Sequence, residues 1–246
     1  MSINFFNPKN FKLIKNSFFI KKIQKSGGNW AYPFILFSWF LASVIVPRRK
    51  VKTNGVSFTL SCTNWITHFR WYLFKTKEPE TIDFINNFIS PGDVFFDIGA
   101  NIGVFSIYAS KKHKNIKTYC FEPEISNLAT LKENIISNGL MDQTYIYSLG
   151  IGNTTGISKL HLQDLTPGAA LHSEHKEDLK YSFEGKKPII WTEGIYVVTL
   201  DYVCSELNII PNVIKIDTDG NEGKILQGAS KTLKSPSLNA IILEMP

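Results

Sequence analysis

Short runs of apolar residues alternate along the chain with segments of helical periodicity. The apolar runs predict strands at 94–97, 117–121, 144–149, 213–216 and 240–243. Apolar positions at helical spacing predict helices at 104–112, 126–137 and 222–234. The stretch from 150 to about 181 is predicted to be irregular. Strands that alternate with helices indicate an α/β fold with an open, mostly parallel sheet.

The turn after the first of these strands combines an acid with two glycines. Asp97 ends the strand, and glycine at 99 and 103 allows the backbone to approach a ligand closely, which is typical of a cofactor loop. A dinucleotide fingerprint would read Gly-x-Gly-x-x-Gly, whereas Gly99-Ala100-Asn101-Ile102-Gly103 lacks the middle and third glycines. The carboxylate of Asp97 also disfavours a pyrophosphate and suits the ammonium group of S-adenosylmethionine (SAM).

A second acid closes the next strand. Glu122 follows Asp97 by 25 residues, which fits one strand-helix-strand unit. In such units this acid accepts hydrogen bonds from both ribose hydroxyls of an adenine nucleoside. Ribose is common to NAD and SAM, so Glu122 alone does not distinguish the two cofactors, and a solvated acid at a strand end is the alternative.

Several motifs in a fixed order resemble the FkbM-type family of SAM-dependent methyltransferases, over roughly residues 76–246. The segments that carry the resemblance are Lys77-Glu78-Pro79-Glu80-Thr81, the loop from Phe96 to Gly103, Phe121-Glu122-Pro123 with Asn134 and Asn138-Gly139, Thr199-Leu200-Asp201, Lys215-Ile216-Asp217 with Gly220, and Leu226-x-Gly228-Ala229. The resemblance implies a Rossmann-like methyltransferase sheet with flanking helices. It also implies methyl transfer to oxygen, often on sugars, polyketides or other small hydroxylated molecules.

Folds of this type usually close with two more strands beyond the fifth, which here is the last predicted element. We therefore expect either that the final strands are missing from this chain or that the N-terminal segment covers the open sheet edge.

The loop and the resemblance together indicate a set of cofactor-binding residues. They are Glu80, Asp97, Gly99, Ala100, Asn101, Gly103 and Glu122. Glu80 is expected either to close over the methionine end of SAM or merely to lie in the first turn of a helix that begins with proline and acids. Asn101 is expected either to contact the methionine carboxylate or to shape the turn.

Two acids follow the fourth strand and are the candidates for the chemical step. Ligands of open parallel sheets bind beyond the carboxyl ends of the strands, so Asp217 and Asp219 lie within reach of cofactor and acceptor. Both could instead cap the following helix. The family more often has valine and glutamate where this chain has Thr218 and Asp219. His172 and Glu244 are further candidates near the acceptor, although a loop histidine is most often solvated.

Composition agrees with one substantial domain and an extension. The 246 residues are 43% hydrophobic and carry a net charge of +6, and the three cysteines include no Cys-x-x-Cys pair. A reducing, cytoplasmic compartment is the simplest interpretation. Scattered histidines show no ligand spacing, and a divalent ion at the two acids would need further ligands, so we expect no metal. We predict an N-terminal extension at 1–50 and a methyltransferase domain at 51–246.

The N-terminal extension is basic and rich in aromatic residues. Lysines alternate with apolar residues from 9 to 25, and an uncharged, apolar run follows at 30–46. A helical cap on the domain, a membrane-surface anchor and a single span all fit this pattern, although 17 residues is short of the roughly 20 that a span needs. The three alternatives remain open, and the possibility of contact with a membrane surface concerns residues 9–46.

The sequence therefore predicts a SAM-dependent O-methyltransferase that methylates a hydroxyl of a small molecule or glycan-type acceptor by SN2 transfer. A non-catalytic, membrane-associated SAM-binding protein and an RNA or nitrogen methyltransferase are the alternatives. RNA is disfavoured because the lysines lie mainly outside the catalytic core.

Overall fold

The computed structural model describes residues 37, 47–170, 172–174 and 188–244. The strands are β1 (Arg48–Thr53), β2 (Val56–Ser61), β3 (Val94–Ile98), β4 (Lys117–Phe121), β5 (Thr144–Tyr147), β6 (Gly150–Gly152), β7 (Gly156–Leu162), β8 (Trp191–Thr199), β9 (Val213–Ile216) and β10 (Ala240–Leu243). The helices are α1 (Trp65–Leu73), α2 (Pro79–Phe88), α3 (Val104–Lys112), α4 (Ile125–Ser137), α5 (Leu200–Leu207) and α6 (Glu222–Gln227), and a 3₁₀ helix spans Thr232–Lys234.

A five-stranded parallel sheet forms the centre of the fold, in the order β10-β9-β3-β4-β5. Its central strand β3 is buried on both faces, since Phe95 faces one hydrophobic cluster and Phe96 the other. Parallel strands covered on both faces read as continuous apolar runs, which is why this strand could be recognised in the sequence. The predicted open, mostly parallel α/β sheet is confirmed.

Two smaller sheets flank the central one. β6, β8 and β7 form a three-stranded sheet, and β1 pairs with β2 as an antiparallel hairpin. The hairpin is tied to α4, because the Asn134 side chain accepts from Ser61 N–H and the Asn138 side chain bonds both backbone groups of Thr59. These two asparagines belong to the motifs quoted above, and the structure gives them a packing role.

The prediction of irregular backbone after residue 149 is wrong, since β6 and β7 lie there. Strand β8 was also not predicted. The glycines at 150, 152 and 156 weaken the local strand signal, and Ile157 on β7 is 89% exposed, so no simple alternation marks the strand. Its partner is β8, and Ile157 pairs with Tyr196, 39 residues along the chain. Only this distant pairing forms the sheet.

The predicted helix at 222–234 is broken. α6 ends at Gln227 and a 3₁₀ helix follows at Thr232–Lys234. A Cβ at Gly228 would lie 2.1 Å from the Gly152 carbonyl oxygen, so the backbone packs directly on β6 there. The Asp201 carboxylate then accepts hydrogen bonds from Lys231 and Thr232 N–H, which fixes the new turn.

The other predicted elements lie within two residues of those observed, and β4, β9, β10 and α3 have the predicted bounds. No helix among residues 37, 47–170, 172–174 and 188–244 is long and apolar enough to cross a membrane. The predicted extension at 1–50 lies outside the described residues except for 37 and 47–50. The domain boundary after residue 50 stays a prediction, although β1 begins at Arg48.

Candidate active site

A cavity opens at the carboxyl ends of β3, β4 and β9, the edge at which open parallel sheets bind ligands. Five of the predicted site residues line it: Gly99, Asn101, Glu122, Asp217 and Asp219. Glu80, Asp97, Ala100 and Gly103 do not. The cavity therefore unites the glycine turn, the acid of β4 and the acids that follow β9.

The glycine turn is packed between its two neighbouring strands. Gly99 has φ +75°, and a Cβ there would lie 1.8 Å from the Asp217 carbonyl oxygen. The N–H groups of Gly99 and Ala100 both donate to the Phe121 carbonyl, at 3.0 and 3.1 Å. Glycine is required at 99 both for its backbone conformation and for its close approach to the end of β9. Gly103, with φ +80°, packs against Leu131 and begins α3.

Glu122 is buried at the end of β4 and faces the cavity. One carboxyl oxygen accepts from Asn101 N–H at 2.7 Å and the other from Glu124 N–H at 2.9 Å. Burial raises the pKa of Glu122 to about 7, although these two backbone donors act in the opposite direction. Each carboxylate oxygen can accept a further hydrogen bond, so the group is suited to a ligand with two hydroxyls.

Asn101 shapes the turn that carries it. Its φ is +50°, its amide donates to the Ala169 carbonyl at 2.7 Å, and its side-chain oxygen accepts from Ile102 N–H. The side chain thereby joins the turn to the segment around residue 169. Of the two predicted roles, turn shaping is observed, and contact with a methionine carboxylate stays a prediction.

Asp97 lies deep in the protein beside a buried lysine. It is 1% exposed, it accepts from the Ser106 hydroxyl, and its other oxygen lies 3.3 Å from Lys215 Nζ. Lys215 Nζ lies equally far from Asp217 Oδ2 and 5.4 Å from the centre of the Phe105 ring. Burial disfavours the ammonium, but Asp97 and Asp217 more than compensate and hold the pKa of Lys215 above its ordinary value.

Asp217 also belongs to a group of three acids that does not include Asp97. One carboxyl oxygen from each of Glu78, Asp217 and Glu244 lies within 4.8 Å of the others, an arrangement that could hold a metal ion. Burial and then the neighbouring carboxylates raise the pKa of Glu244 to about 7, so it can share a proton with Asp217. Lys215 also supplies positive charge. The expectation of no metal stays a prediction.

Glu80 lies in the first turn of α2 and is exposed. Pro79 is the first residue of that helix. Glu80 therefore has the alternative position that the sequence analysis gave for it, in the first turn of a helix that begins with proline. The buried acid of this segment is instead Glu78, whose oxygen Oε1 pairs with Lys77 Nζ at 2.7 Å. The role of Glu80 in closing over the cofactor stays a prediction.

Two further charged or titratable groups reach the cavity: Arg70, which the sequence analysis did not name, and His172, which it named as a candidate. Arg70 comes from α1, and its Nε donates to the Gly168 carbonyl at 2.6 Å. Gly168 N–H donates in turn to Asn127 on α4. These bonds hold the backbone at Gly168, shortly before His172, at the cavity. In the sequence, the only sign that this segment belongs to the site was the titratable side chain of His172.

Both ring nitrogens of His172 are buried and have no hydrogen-bond partner within the part of the chain that the structure describes. Burial lowers the pKa of His172 below its ordinary value, although Glu124, Asp219 and Asp164 favour the protonated form. An uncharged imidazole with a free nitrogen in a cavity can accept a proton near neutral pH.

The chain is similar to known methyltransferases. A 31-O-demethyl-FK506 methyltransferase, FkbM, of Streptomyces tacrolimicus is 25% identical over 186 aligned positions, and the alignment covers 64% of this chain and 66% of that protein. A hexuronic acid methyltransferase, AglP, of Haloferax volcanii is 28% identical over 153 residues, or 62% and 56% of the two chains. The chain thus spans about three fifths of the length of these relatives.

Among solved structures, a precorrin-6y C5,15-methyltransferase of Geobacter metallireducens aligns with a TM-score of 0.40 and 14% identity, over 68% of this chain and 62% of that one. The family model described as the Methyltransferase FkbM domain matches residues 97–245, which are more than half of the chain and include every residue that lines the cavity except Arg70. This protein therefore belongs to the FkbM methyltransferase family.

Proposed function

We propose that this protein is a SAM-dependent O-methyltransferase that acts on a hydroxyl of a small molecule or glycan-type acceptor. The observation that carries the proposal is the position of Glu122, buried at the end of β4 and opposite the Gly99 turn in a cavity within the matched family region. The two relatives are named for methylation of a 31-O-demethyl-FK506 and of a hexuronic acid, and these activities support an oxygen acceptor.

The residues of the cavity fit this cofactor. Glu122 would accept hydrogen bonds from the two ribose hydroxyls, and the turn from Gly99 to Asn101 would lie against the nucleoside. Asp217, which ends β9 beside the same turn, would lie nearer the methionine end. When bound, SAM supplies an electrophilic methyl carbon whose bond to sulfur breaks with its electron pair, leaving S-adenosylhomocysteine.

His172 is the best-placed group to receive the proton of the acceptor hydroxyl. When an acceptor oxygen attacks the methyl carbon, its proton would pass to a free ring nitrogen of His172 and then to solvent. Asp217 is less suited, because Lys215 overcomes the effect of burial and lowers the pKa of its carboxyl, so the ionised form is a weak base. Asp219 lines the same cavity and stays a candidate for contact with the acceptor.

The test has two stages. Calorimetric titration of the full chain with S-adenosylhomocysteine and, separately, with NAD tests the cofactor, and we expect binding of the former alone. Radiolabelled methyl transfer from SAM to a panel of sugars, uronic acids and polyketide alcohols then tests the reaction. Binding without transfer to any member would favour a non-catalytic SAM-binding protein, and no binding would overturn the proposal.

Glu122→Gln is expected to weaken S-adenosylhomocysteine about tenfold or more, because hydrogen bonds to a charged group contribute about 1.5–3 kcal/mol. The pKa of Glu122 near 7 adds a pH signature. The ionised form, which accepts from the ribose hydroxyls, predominates only above that value, so the wild-type affinity should rise about tenfold from pH 6 to pH 8. Calorimetry at both pH values measures the two effects.

The matched control is Glu206→Gln, which removes an exposed acid on α5. It should keep both the wild-type affinity and its pH dependence. If Glu122→Gln binds as tightly as wild type, or keeps the same pH dependence, Glu122 does not hold the ribose.

A further inference from the structure

An unusual charge distribution marks the segment that contains β1, β2 and α1. From Pro47 to Lys77 the chain has no aspartate or glutamate. It has seven cations, which are Arg48, Arg49, Lys50, Lys52, Arg70, Lys75 and Lys77. A net charge of +7 on these 31 residues exceeds the net charge of +6 on the whole chain. The cationic character of the described protein is therefore concentrated on one supersecondary unit.

Four of these cations have neither an ion pair nor a side-chain hydrogen bond among the described residues. Arg48 pairs with Glu133, Lys77 pairs with Glu78, and Arg70 bonds a backbone carbonyl at the cavity. The remaining four are exposed: Arg49, Lys50, Lys52 and Lys75. Exposed cations without acidic neighbours create a positive potential that attracts an anionic surface.

Three large aromatic side chains protrude from the same unit. Trp65 and Tyr72 are each 70% exposed and Phe69 is 48% exposed. They occupy positions i, i+4 and i+7 of α1, so they form one stripe along a single helix face. Monomeric proteins rarely expose a contiguous apolar stripe of this kind, and such stripes mark interaction sites.

The cations and the aromatic stripe meet at Tyr72. One surface depression contains Lys50, Lys52, Lys75 and Tyr72, and an adjoining one contains Trp65, Phe69 and Tyr72. The unit is held rigid, because the Trp71 indole N–H donates to the Lys50 carbonyl at 3.0 Å and joins α1 to β1. Aromatic and cationic groups thus form one continuous surface, which we call the α1 surface.

We propose that the α1 surface docks on an anionic lipid membrane. Tryptophan and tyrosine favour the level of the lipid headgroups, where the ring is apolar and its polar atom stays hydrated. Lysine and arginine beside them reach the phosphates, and each adds about fivefold to the partition into anionic membranes. An anionic membrane is proposed as the partner because its charge is complementary to that of the α1 surface. This inference does not depend on the methyl-transfer proposal.

The opposite side of α1 contributes to the cavity, so docking through α1 would bring the cavity close to the membrane. Arg70 projects from that side into the cavity, and Asn64 at the start of α1 donates to the Pro167 carbonyl in the segment that leads to His172. One helix therefore carries the membrane surface and part of the cavity wall. An acceptor at a membrane surface would then be presented close to the site.

Vesicle flotation of the full chain tests the proposal. Vesicles of phosphatidylcholine alone are compared with an equimolar mixture of phosphatidylcholine and phosphatidylglycerol, and we expect binding to the mixture only. The triple variant Lys50→Glu, Lys52→Glu, Lys75→Glu should lose about 100-fold or more in partition. The triple variant Trp65→Ser, Phe69→Ser, Tyr72→Ser should lose about tenfold or more.

Matched controls separate this surface from charge alone. Lys114→Glu, Lys159→Glu, Lys234→Glu makes the same change in net charge at exposed lysines elsewhere, and Trp191→Ser removes an exposed tryptophan of β8. Both should keep wild-type partition within about twofold. Calorimetry with S-adenosylhomocysteine and the thermal midpoint of unfolding check that every variant is folded.

Three results would overturn the proposal. The first is no binding to anionic vesicles. The second is an equal loss in the two charge variants, or no loss in either variant of the α1 surface, which would place any contact in residues 1–46 or in overall charge. The third is a single-stranded RNA oligonucleotide that binds more tightly than the vesicles at the same salt and loses affinity with the Lys50, Lys52, Lys75 variant, which would make the surface an RNA site.

Discussion

Lys215→Met is expected to lower the free energy of unfolding by about 3–5 kcal/mol, the range found when one partner of a buried ion pair is removed. Lys215 is 3% exposed and its ammonium lies 3.3 Å from a carboxylate oxygen of both Asp97 and Asp217. Methionine has a similar length and fills the space, so the loss reports the two carboxylates left without a counter-charge. Urea denaturation at pH 7.5 measures it.

The pH dependence of this loss follows from Asp217. Burial alone would raise its pKa, but Lys215 and the hydrogen bond with Glu244 lower it below the ordinary value of 3.8. A carboxyl with a lowered folded pKa contributes stability that is present above about pH 4 and is lost as the pH falls through the folded value. The difference between wild type and Lys215→Met should therefore be greatest near neutral pH and decrease in acid.

Two further variants make the result specific. Lys231→Met removes an exposed lysine and should change the free energy of unfolding by less than about 0.5 kcal/mol. Adding Asp97→Asn to Lys215→Met should recover part of the loss, because the most buried unpaired carboxylate is then removed. A loss below about 1 kcal/mol for Lys215→Met would show that these charges are solvated in the native protein.

This ion pair also shows what a sequence can and cannot predict. Asp97 was recognised as the acid that ends β3, and Lys215 was part of the motif that leads to Asp217. Their pairing depends on β3 lying next to β9 with Asp97 directly opposite Lys215. Local periodicity does not encode the order of the strands in the sheet. The sequence therefore offers no reason to expect that Asp97 pairs with Lys215 instead of the ammonium group of a ligand.

The inner strands β3, β4 and β9 of the central sheet were predictable because they are buried on both faces. Phe95, Phe96 and Ile214 are fully buried, and such positions give a continuous apolar run whatever the neighbouring strand is. The flanking sheet of β6, β7 and β8 has exposed apolar residues and glycines, so its strands are defined by pairing alone. The local sequence shows whether a strand is buried, but it does not show which distant strand pairs with it.

The residues of the site also fall into two groups, those that the strand pattern predicts and those that depend on contacts between distant segments. Gly99, Glu122 and Asp217 lie at strand ends, where the α/β pattern alone predicts ligand contacts. Arg70 and His172 reach the cavity only through hydrogen bonds between distant segments, such as that from Arg70 Nε to the Gly168 carbonyl. The proposed base could therefore be named as a candidate from the sequence, but its burial and its free nitrogens could not be predicted.

His172→Gln is expected to lower kcat for methyl transfer about 100-fold or more, the usual contribution of a positioned general base. Glutamine has a similar size and polarity but cannot take up a proton, so binding of S-adenosylhomocysteine should stay within about twofold of wild type. The measurement is the initial rate of methyl transfer from SAM to the acceptor that gives the highest rate in the panel, with calorimetry of the same preparation.

The control is His113→Gln, which removes another partly buried histidine with a lowered pKa. His113 bonds the Ile85 carbonyl at 2.9 Å and lies outside the cavity, so its replacement should leave kcat within about twofold.

The pH profile distinguishes a base from a residue that only shapes the cavity. Burial and Arg70 favour neutral His172, whereas Glu124, Asp219 and Asp164 favour its protonated form, and the net effect is a pKa below the ordinary 6.5. At saturating SAM, the wild-type kcat/KM for the acceptor should therefore rise with pH through a value below 6.5 and then level off, since the imidazole must be neutral to accept the proton. His172→Gln should lose this rise. A variant with lowered kcat that keeps the same rise would assign the proton to another group, such as Asp219 in the cavity wall.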